Sequence, residues 1–190
     1  MALRDTKTEI MDVAEHAVRS HGANGFSYAD LSDVVGIRKA SIHYHFPTKD
    51  DLLTAIMERY SARIHDKLAE IKAQSATAGD ALGSFIDLYR AALQEAETLC
   101  LCVAYSVNED GLAEDTRKSI AGFRHNTQLW LEGLFERALG DGSITELGSK
   151  EDEAAAALAL VEGAQIGARL NSDMVMYDRA TQSLRNRIRD

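Results

Sequence analysis

Apolar residues recur along most of this chain at intervals of three and four, the period that lines one face of an α-helix. Ile10, Val13, Ala14, Ala17 and Val18 form such a face and predict a first helix over about residues 6–20. Gly22 and Gly25 then signal turns, and Phe26 reads as a core anchor. A second helix opens at Ser27, where Ser27 and Asp30 have the spacing of a capping box. Its expected buried face is Leu31, Val34 and Val35, and Gly36 stops it, with Ile37 as an apolar plug in the turn. A short third helix is expected over 39–45. Pro47 then biases Phe46 away from helical geometry, and Thr48 with Asp51 repeats the capping spacing. Leu53, Ile56, Met57, Tyr60, Ile64, Leu68 and Ile71 form one stripe, which predicts a long fourth helix over about 51–72.

The string AQSATAG at 73–79 is a small-residue link. Beyond it the pattern predicts helices over about 80–95, 99–107, 114–139, 150–170 and 172–188. Asn108–Gly111 and Gly140–Ser143 are the intervening turns. The long helix over 114–139 should bury Ile120, Phe123, Leu131, Leu134 and Phe135. With one proline and few β-branched runs, the fold class is all-α. Two domains are expected: a helix-turn-helix unit over 1–50, and a helical effector-binding and dimerisation domain over 51–190. The helix at 51–72 would connect them.

Composition sharpens this picture. The chain has 190 residues, 45% of them hydrophobic, which supports a packed core rather than disorder. The apolar runs Leu99–Tyr105 and Ala154–Val161 are far too short to span a bilayer, and the N-terminal MALRDTKTEI lacks the apolar stretch of a signal peptide. A soluble, cytoplasmic protein with no membrane partner is expected. Two cysteines, Cys100 and Cys102, make no disulfide framework.

The net charge of -9 argues against nucleic acid until its distribution is considered. Residues 1–50 carry a net of -1 and residues 51–190 a net of -8. The segment Val34–Lys49 holds Arg38, Lys39, Lys49 and two histidines, with no acid. The positive field is local, and whole-chain charge does not decide what one patch binds.

Two short helices, a tight turn and an aromatic, basic segment are what a helix-turn-helix presents to the major groove. Arg38, Lys39, Ser41 and His43 open and line the short third helix and are candidates for base edges. Ser27 and Lys49 stand at helix N-termini that suit phosphates, and Tyr44 and His45 can donate to the backbone. Ile42 and Phe46 are assigned to the core. His43 and His45, two apart, point to different helix sides and make a poor metal pair.

Residues 10–57 resemble the DNA-binding domain of the TetR family of transcriptional regulators. The elements that carry the resemblance are Gly25-Phe26, Ser27, Gly36-Ile37, Tyr44-His45-Phe46 and Thr48-Lys49-Asp50-Asp51-Leu52. Arg38 departs from the commoner pattern, where a small capping residue is frequent. So do Ala40, where glycine often sits, and His43, where an aromatic is common. These positions tune which sequence is read. The C-terminal part resembles the family in helical layout and length. The resemblance implies a homodimer on a double-stranded DNA operator, paired through its last two helices, and a small-molecule effector among the middle helices.

A short reading helix needs a two-fold partner for tight binding. Ala154–Ala157, Ala159, Gly163, Ala164, Gly167 and Ala168 would permit close helix approach at such an interface. Tyr89, Cys100, Cys102, Tyr105, Phe123 and Trp130 are the candidate effector-binding residues, and Phe85, Leu88 and Leu134 are further candidates for the pocket wall. Cys100 and Cys102 could instead sense electrophiles or oxidants. Yet no Lys, Arg or His lies near them and the segment is apolar, so two small buried hydrophobes is the better reading. Glu109 and Asp110 downstream read as turn acids. No cofactor, metal site or catalytic group is expected, because no nucleophile–base spacing, phosphate loop or ligand cluster is visible. The reading is therefore a ligand-responsive repressor rather than an enzyme, with a DNA-independent helical adaptor as the alternative.

Overall fold

The computed structural model describes residues 5–106 and 111–189. The described residues form helices α1 (Thr6–His21), α2 (Tyr28–Val35), α3 (Lys39–His45), α4 (Lys49–Gln74), α5 (Ala78–Ala91), α6 (Leu101–Ser106), α7 (Glu114–Asp141), α8 (Lys150–Asn171) and α9 (Met174–Arg185). The only other regular pairing among them is an isolated antiparallel bridge between Ile144 and Ile188. The chain divides into two compact units, Met1–Ala62 with Leu101–Gly122, and Arg63–Cys100 with Phe123–Asp190. The division falls inside α4 and α7.

In the first unit, α1 buries Ile10, Ala14 and Val18 and packs on α2, α3 and α6. Val13 and Ala17 are half-buried. Gly25 is needed by a tight turn: a Cβ there would lie 2.3 Å from that of His21 and 2.6 Å from the His21 carbonyl oxygen. The Ser27–Asp30 capping box forms, contributing about 1 kcal/mol to a helix of only two turns. Gly36 ends α2 at φ 75°, in the left-handed region that glycine enters without strain.

The buried face of α2 differs from the expected one. Leu31 is buried, but Val34 is 69% exposed and Val35 half-buried, while Tyr28 supplies the second core position. A hydrophobicity pattern cannot recognise Tyr28 as core, because its hydroxyl must also find a partner inside. In α4, Leu53, Ile56, Met57, Tyr60 and Leu68 are buried as expected, and Ile64 and Ile71 are half-buried.

Ion pairs tie α4 to α1 within this unit. Arg59 lies 2.8 Å from Asp12 and 3.1 Å from Glu15, and Glu15 is 3.7 Å from Arg19. Tyr105 of α6 donates to the Leu53 carbonyl at 2.8 Å, and Thr54 bonds Thr116 of α7 at 2.8 Å.

In the second unit, α5 begins earlier than expected, because Thr77 and Asp80 form a further capping box. It also ends earlier, at Ala91 rather than near residue 95. Gln94, Glu95 and Ala96 all adopt left-handed backbone, with φ of 44°, 57° and 67°. Such a conformation costs roughly 1–2 kcal/mol per non-glycine residue. It is held by Thr98, which donates its hydroxyl to the Ala92 carbonyl at 2.7 Å and its N–H to that of Leu93 at 3.0 Å. Gln165 of α8 is fully buried and bridges the same segment, donating to the Tyr89 carbonyl at 2.6 Å and accepting the Cys100 N–H at 3.0 Å.

The predicted helix near 99–107 appears as α6. Val107, and the turn residues Asn108, Glu109 and Asp110, lie outside the described residues. Phe123, Leu131, Leu134 and Phe135 of α7 are buried as expected. Helices α8 and α9 pack together and against α5. Arg90 pairs with Asp178 at 2.6 Å, Arg185 with Asp87 at 2.5 Å, and Arg187 with Glu153 at 2.8 Å.

The small residues of α8 divide into two sets. Ala154, Ala157, Ala164 and Ala168 are buried inside the protomer. Ala155, Ala156, Ala159 and Gly163 are exposed, and Gly167 is half-exposed.

Candidate nucleic-acid interface

The reading helix α3 owes its placement to a few polar bonds. Tyr28 directs its hydroxyl to the carbonyls of Thr48, at 2.5 Å, and Phe46, at 3.0 Å. This pins α2 to the turn that follows α3. Burial, with smaller contributions from Asp51 and Asp50, pushes the Tyr28 phenol up to about 12, so it remains a donor at any physiological pH. The His43 ring lies 4.8 Å from that of Tyr28, and its Nδ1 is 3.2 Å from the Pro47 carbonyl, which favours the Nδ1–H tautomer. Thr48 caps α4: its N–H and hydroxyl donate to Asp51 at 2.9 and 2.7 Å, and it accepts the Asp51 N–H at 3.1 Å.

The anchor side chains are Ile42, fully buried, and Phe46, 3% exposed, both core as expected. With these positions turned inward, Lys39, Ala40, His43 and Tyr44 are exposed on the other side of α3. Tyr44 is 83% exposed, its ring edge-on to His45 at 5.2 Å. Arg38, at the N-cap, is exposed and makes no side-chain cap bond. Ser41 and His45 flank this face, half-buried. No carboxylate occurs in the segment Val34–Lys49.

Two candidates have local duties as well. The Ser27 hydroxyl and backbone N–H donate to the Asp30 carboxylate at 2.8 and 2.7 Å, and these bonds hold that carboxyl below its ordinary value. Lys49 is half-buried, donates to the Phe26 carbonyl at 2.7 Å and stands 4.3 Å from the centroid of that ring. Burial lowers its pKa against the opposing pull of Asp50 and Asp30. One N–H of the ammonium is therefore committed to the fold and two can turn outward.

Residues 10–56 match the family model described as bacterial regulatory proteins, tetR family. A TetR-family regulator from Agrobacterium tumefaciens superposes with a TM-score of 0.91 at 28% identity, covering 97% of this chain and 98% of that one. The chain is a TetR-family transcriptional regulator. A TetR regulator from Legionella pneumophila gives a TM-score of 0.86 at 27% identity over the whole of both chains. The HTH-type transcriptional repressor NemR of Escherichia coli is 23% identical over 187 residues, 96% of this chain and 93% of the relative.

The regulator's exposed α3 face includes Ala40, one of the positions at which the sequence departs from the commoner family pattern. A methyl group in that position can contact a thymine methyl. The signal for it was the helical spacing itself, since residue 40 shares a side with 43 and 44.

The candidate effector residues are divided between the two units. Cys102 and Tyr105 belong to the first unit, and Tyr89, Cys100, Phe123 and Trp130 to the second. Cys100 and Cys102 form no disulfide and are 2% and 0% exposed. Tyr105 is fully buried, and desolvation raises its pKa well above the ordinary phenol value. Tyr89 and Phe123 are core, Phe123 stacking on His65 at 5.6 Å. Trp130 lines a cavity of about 80 Å3 that lies wholly within the second unit, together with Leu134 of the further wall candidates. Phe85 is core, stacked on Trp130 at 5.7 Å, and Leu88 is half-buried.

No helix among the described residues is long and apolar enough to cross a membrane.

Proposed function

We propose that this regulator is a cytoplasmic homodimeric repressor that leaves its operator when a small molecule binds the C-terminal helices. The observation that carries the DNA contact is the exposed, acid-free face of α3. On this reading Arg38, Lys39, Ser41 and His43 address base edges. Ser27, Tyr44, His45 and Lys49 hold the phosphate backbone, which fixes register. Residues 1–50 act as the reader and 51–190 as the sensing and pairing part.

An unpartnered apolar face supports the homodimer. On α8, Ala155, Ala159, Gly163, Ile166 and Leu170 recur at helical spacing and are all exposed. Ile166 is 43% and Leu170 83% exposed, and Val175 and Met176 extend the face onto α9. The protomer alone leaves this surface in water, whereas a two-fold copy of it buries both. That the similar NemR is a transcriptional repressor supports the sign of regulation. Release then follows as a population shift: an effector that binds unequally to two states of the dimer moves operator affinity by the same factor. Burial of Cys100 and Cys102 favours a non-covalent effector over a thiol sensor.

The test is fluorescence anisotropy of the full chain on duplexes enriched from a random pool, titrated with salt. A selected site bound at least about a thousandfold above random DNA, with affinity falling steeply as salt rises, is the expected result. Enrichment of no sequence would defeat the operator reading.

A further inference from the structure

The cavity at Trp130 is built from one kind of chemistry. Its apolar wall is Trp130, Leu129 and Leu134 of α7 with Ala81 of α5. Its charged lining residues are Lys72 and Arg137, and no acid lines it. The Trp130 Nε1–H already donates to the Leu68 carbonyl at 3.0 Å. Arg137 is engaged too: it donates to the carbonyls of Ser75, at 3.0 Å, and Ala76, and its Nε lies 3.6 Å from Asp141. Lys72 is exposed and makes no ion pair among the described residues. The lining side chains therefore offer donors and positive charge but no acceptor, above a hydrocarbon wall.

We propose that this cavity binds a small amphiphilic monocarboxylate, its hydrocarbon end against Trp130, Leu134 and Ala81 and its carboxylate at Lys72. A neutral alcohol of the same length would fill the wall but gain no charge partner. A cation would meet two like charges. The enclosed volume of about 80 Å3 is roughly half that of an apolar cavity that takes up benzene, about 150 Å3. That favours a chain of about three to five carbons over an aromatic ring. The binding claim stands on the cavity alone. Only its consequence at the operator rests on the effector-release reading above.

Trp130 is the single tryptophan of the chain, so its emission reports this cavity alone. The full-length protein is titrated with butyrate, pentanoate and the matching alcohols, at constant ionic strength. The expected result is a saturable change in emission at concentrations about fivefold lower for the acid than for the alcohol, the size of a solvent-exposed charge contact. Lys72→Met removes the preference for the acid and leaves alcohol binding unchanged. Gly133→Leu is the plugging variant: Gly133 lines the cavity, and a Cβ there meets nothing within 4 Å. Both ligands then stop binding. Equal affinity for acid and alcohol in the parent protein, or undiminished acid binding by Gly133→Leu, overturns the proposal. Anisotropy on the selected operator, read in the same samples, separates the two claims. Saturation of Trp130 with no change in operator affinity upholds the site and defeats effector release through it. Operator release by the acid that persists in Gly133→Leu upholds release and defeats the site.

Discussion

The reader and the C-terminal helices are stabilised by opposite means. In the reader, short helices are held by local polar bonds. Ser27 with Asp30 and Thr48 with Asp51 close two capping boxes, and Tyr28 pins the α3–α4 turn. Arg38, Lys39, His43 and Tyr44 then project from that frame into water. In the second unit, long helices are held by buried apolar rows and by ion pairs such as Arg90–Asp178 and Arg187–Glu153. What projects into water from α8 is hydrocarbon: Ile166 and Leu170. The reader thus exposes polar chemistry on a scaffold fixed by helix caps and by the Tyr28 bonds. The other region exposes an apolar surface, Ile166 and Leu170, which a second copy covers on the proposed reading.

The sharpest way to break this contrast is to strip the reader's outward chemistry and leave its frame. Lys39→Ala with Tyr44→Ala removes two exposed side chains that bury nothing. Operator affinity should fall by more than about a hundredfold, because each half-site contact is worth about 1–3 kcal/mol and the dimer loses it twice. The melting temperature should stay within a degree or two. A large loss of stability would show that these residues serve the fold.

A smaller effect is expected from the other outward face. Ile166→Glu places a charge on the exposed stripe of α8. Sedimentation should show monomers where the parent protein forms dimers, with operator affinity about tenfold weaker or more. A variant that remains a dimer would remove α8 from the interface.

Two further substitutions sharpen the comparison of frames. Tyr28→Phe deletes one hydroxyl and leaves the Thr48 and Phe46 carbonyls without that donor, for a loss of about 1–2 kcal/mol in urea unfolding. Arg187→Met addresses the second unit through pH. Hydrogen bonds from Arg187, then from the Gly148 N–H, hold the Glu153 carboxyl below its ordinary 4.5. Its folded pKa is depressed, so the stabilisation is present above the unfolded value and is lost as pH falls through the folded one. The parent protein should therefore lose stability as pH drops from about 5 downward. Arg187→Met should flatten that part of the profile, at a cost of at most about 1 kcal/mol at pH 7. An unchanged acid limb would assign the slope to other carboxylates.

Much of the fold was legible because its signals are local. The start of α2, the length of α3 and the stop at Pro47 follow from capping spacing and proline stereochemistry within a few residues. The outward face of α3 was legible for the same reason, including Ala40, although it carries no polar group. The errors fall where the deciding contact is distant in sequence. Val34 has the residue type of a core position yet is 69% exposed, because Tyr28 takes that place through bonds to residues 18 and 20 positions away. The stretch Ala91–Ala96 contains no helix breaker, but α5 stops there, and the buried Gln165 of α8 bonds the backbone on either side of it. The effector candidates could not be sorted by residue type, because aromatic and cysteine side chains serve equally as core and as cavity wall. Nothing in their identity says which.

By itself the sequence determined the all-helical class, the capped frame of the reader and the charged side chains that frame offers, since each depends on torsional preference and hydrogen bonds over three or four residues. Only the tertiary structure decided which apolar residues face water, where α5 ends, and that Trp130, Lys72 and Gly133 share a cavity. Those outcomes are set by packing between segments tens of residues apart, where many side chains of similar hydrophobicity compete for the same buried volume and geometry alone selects among them.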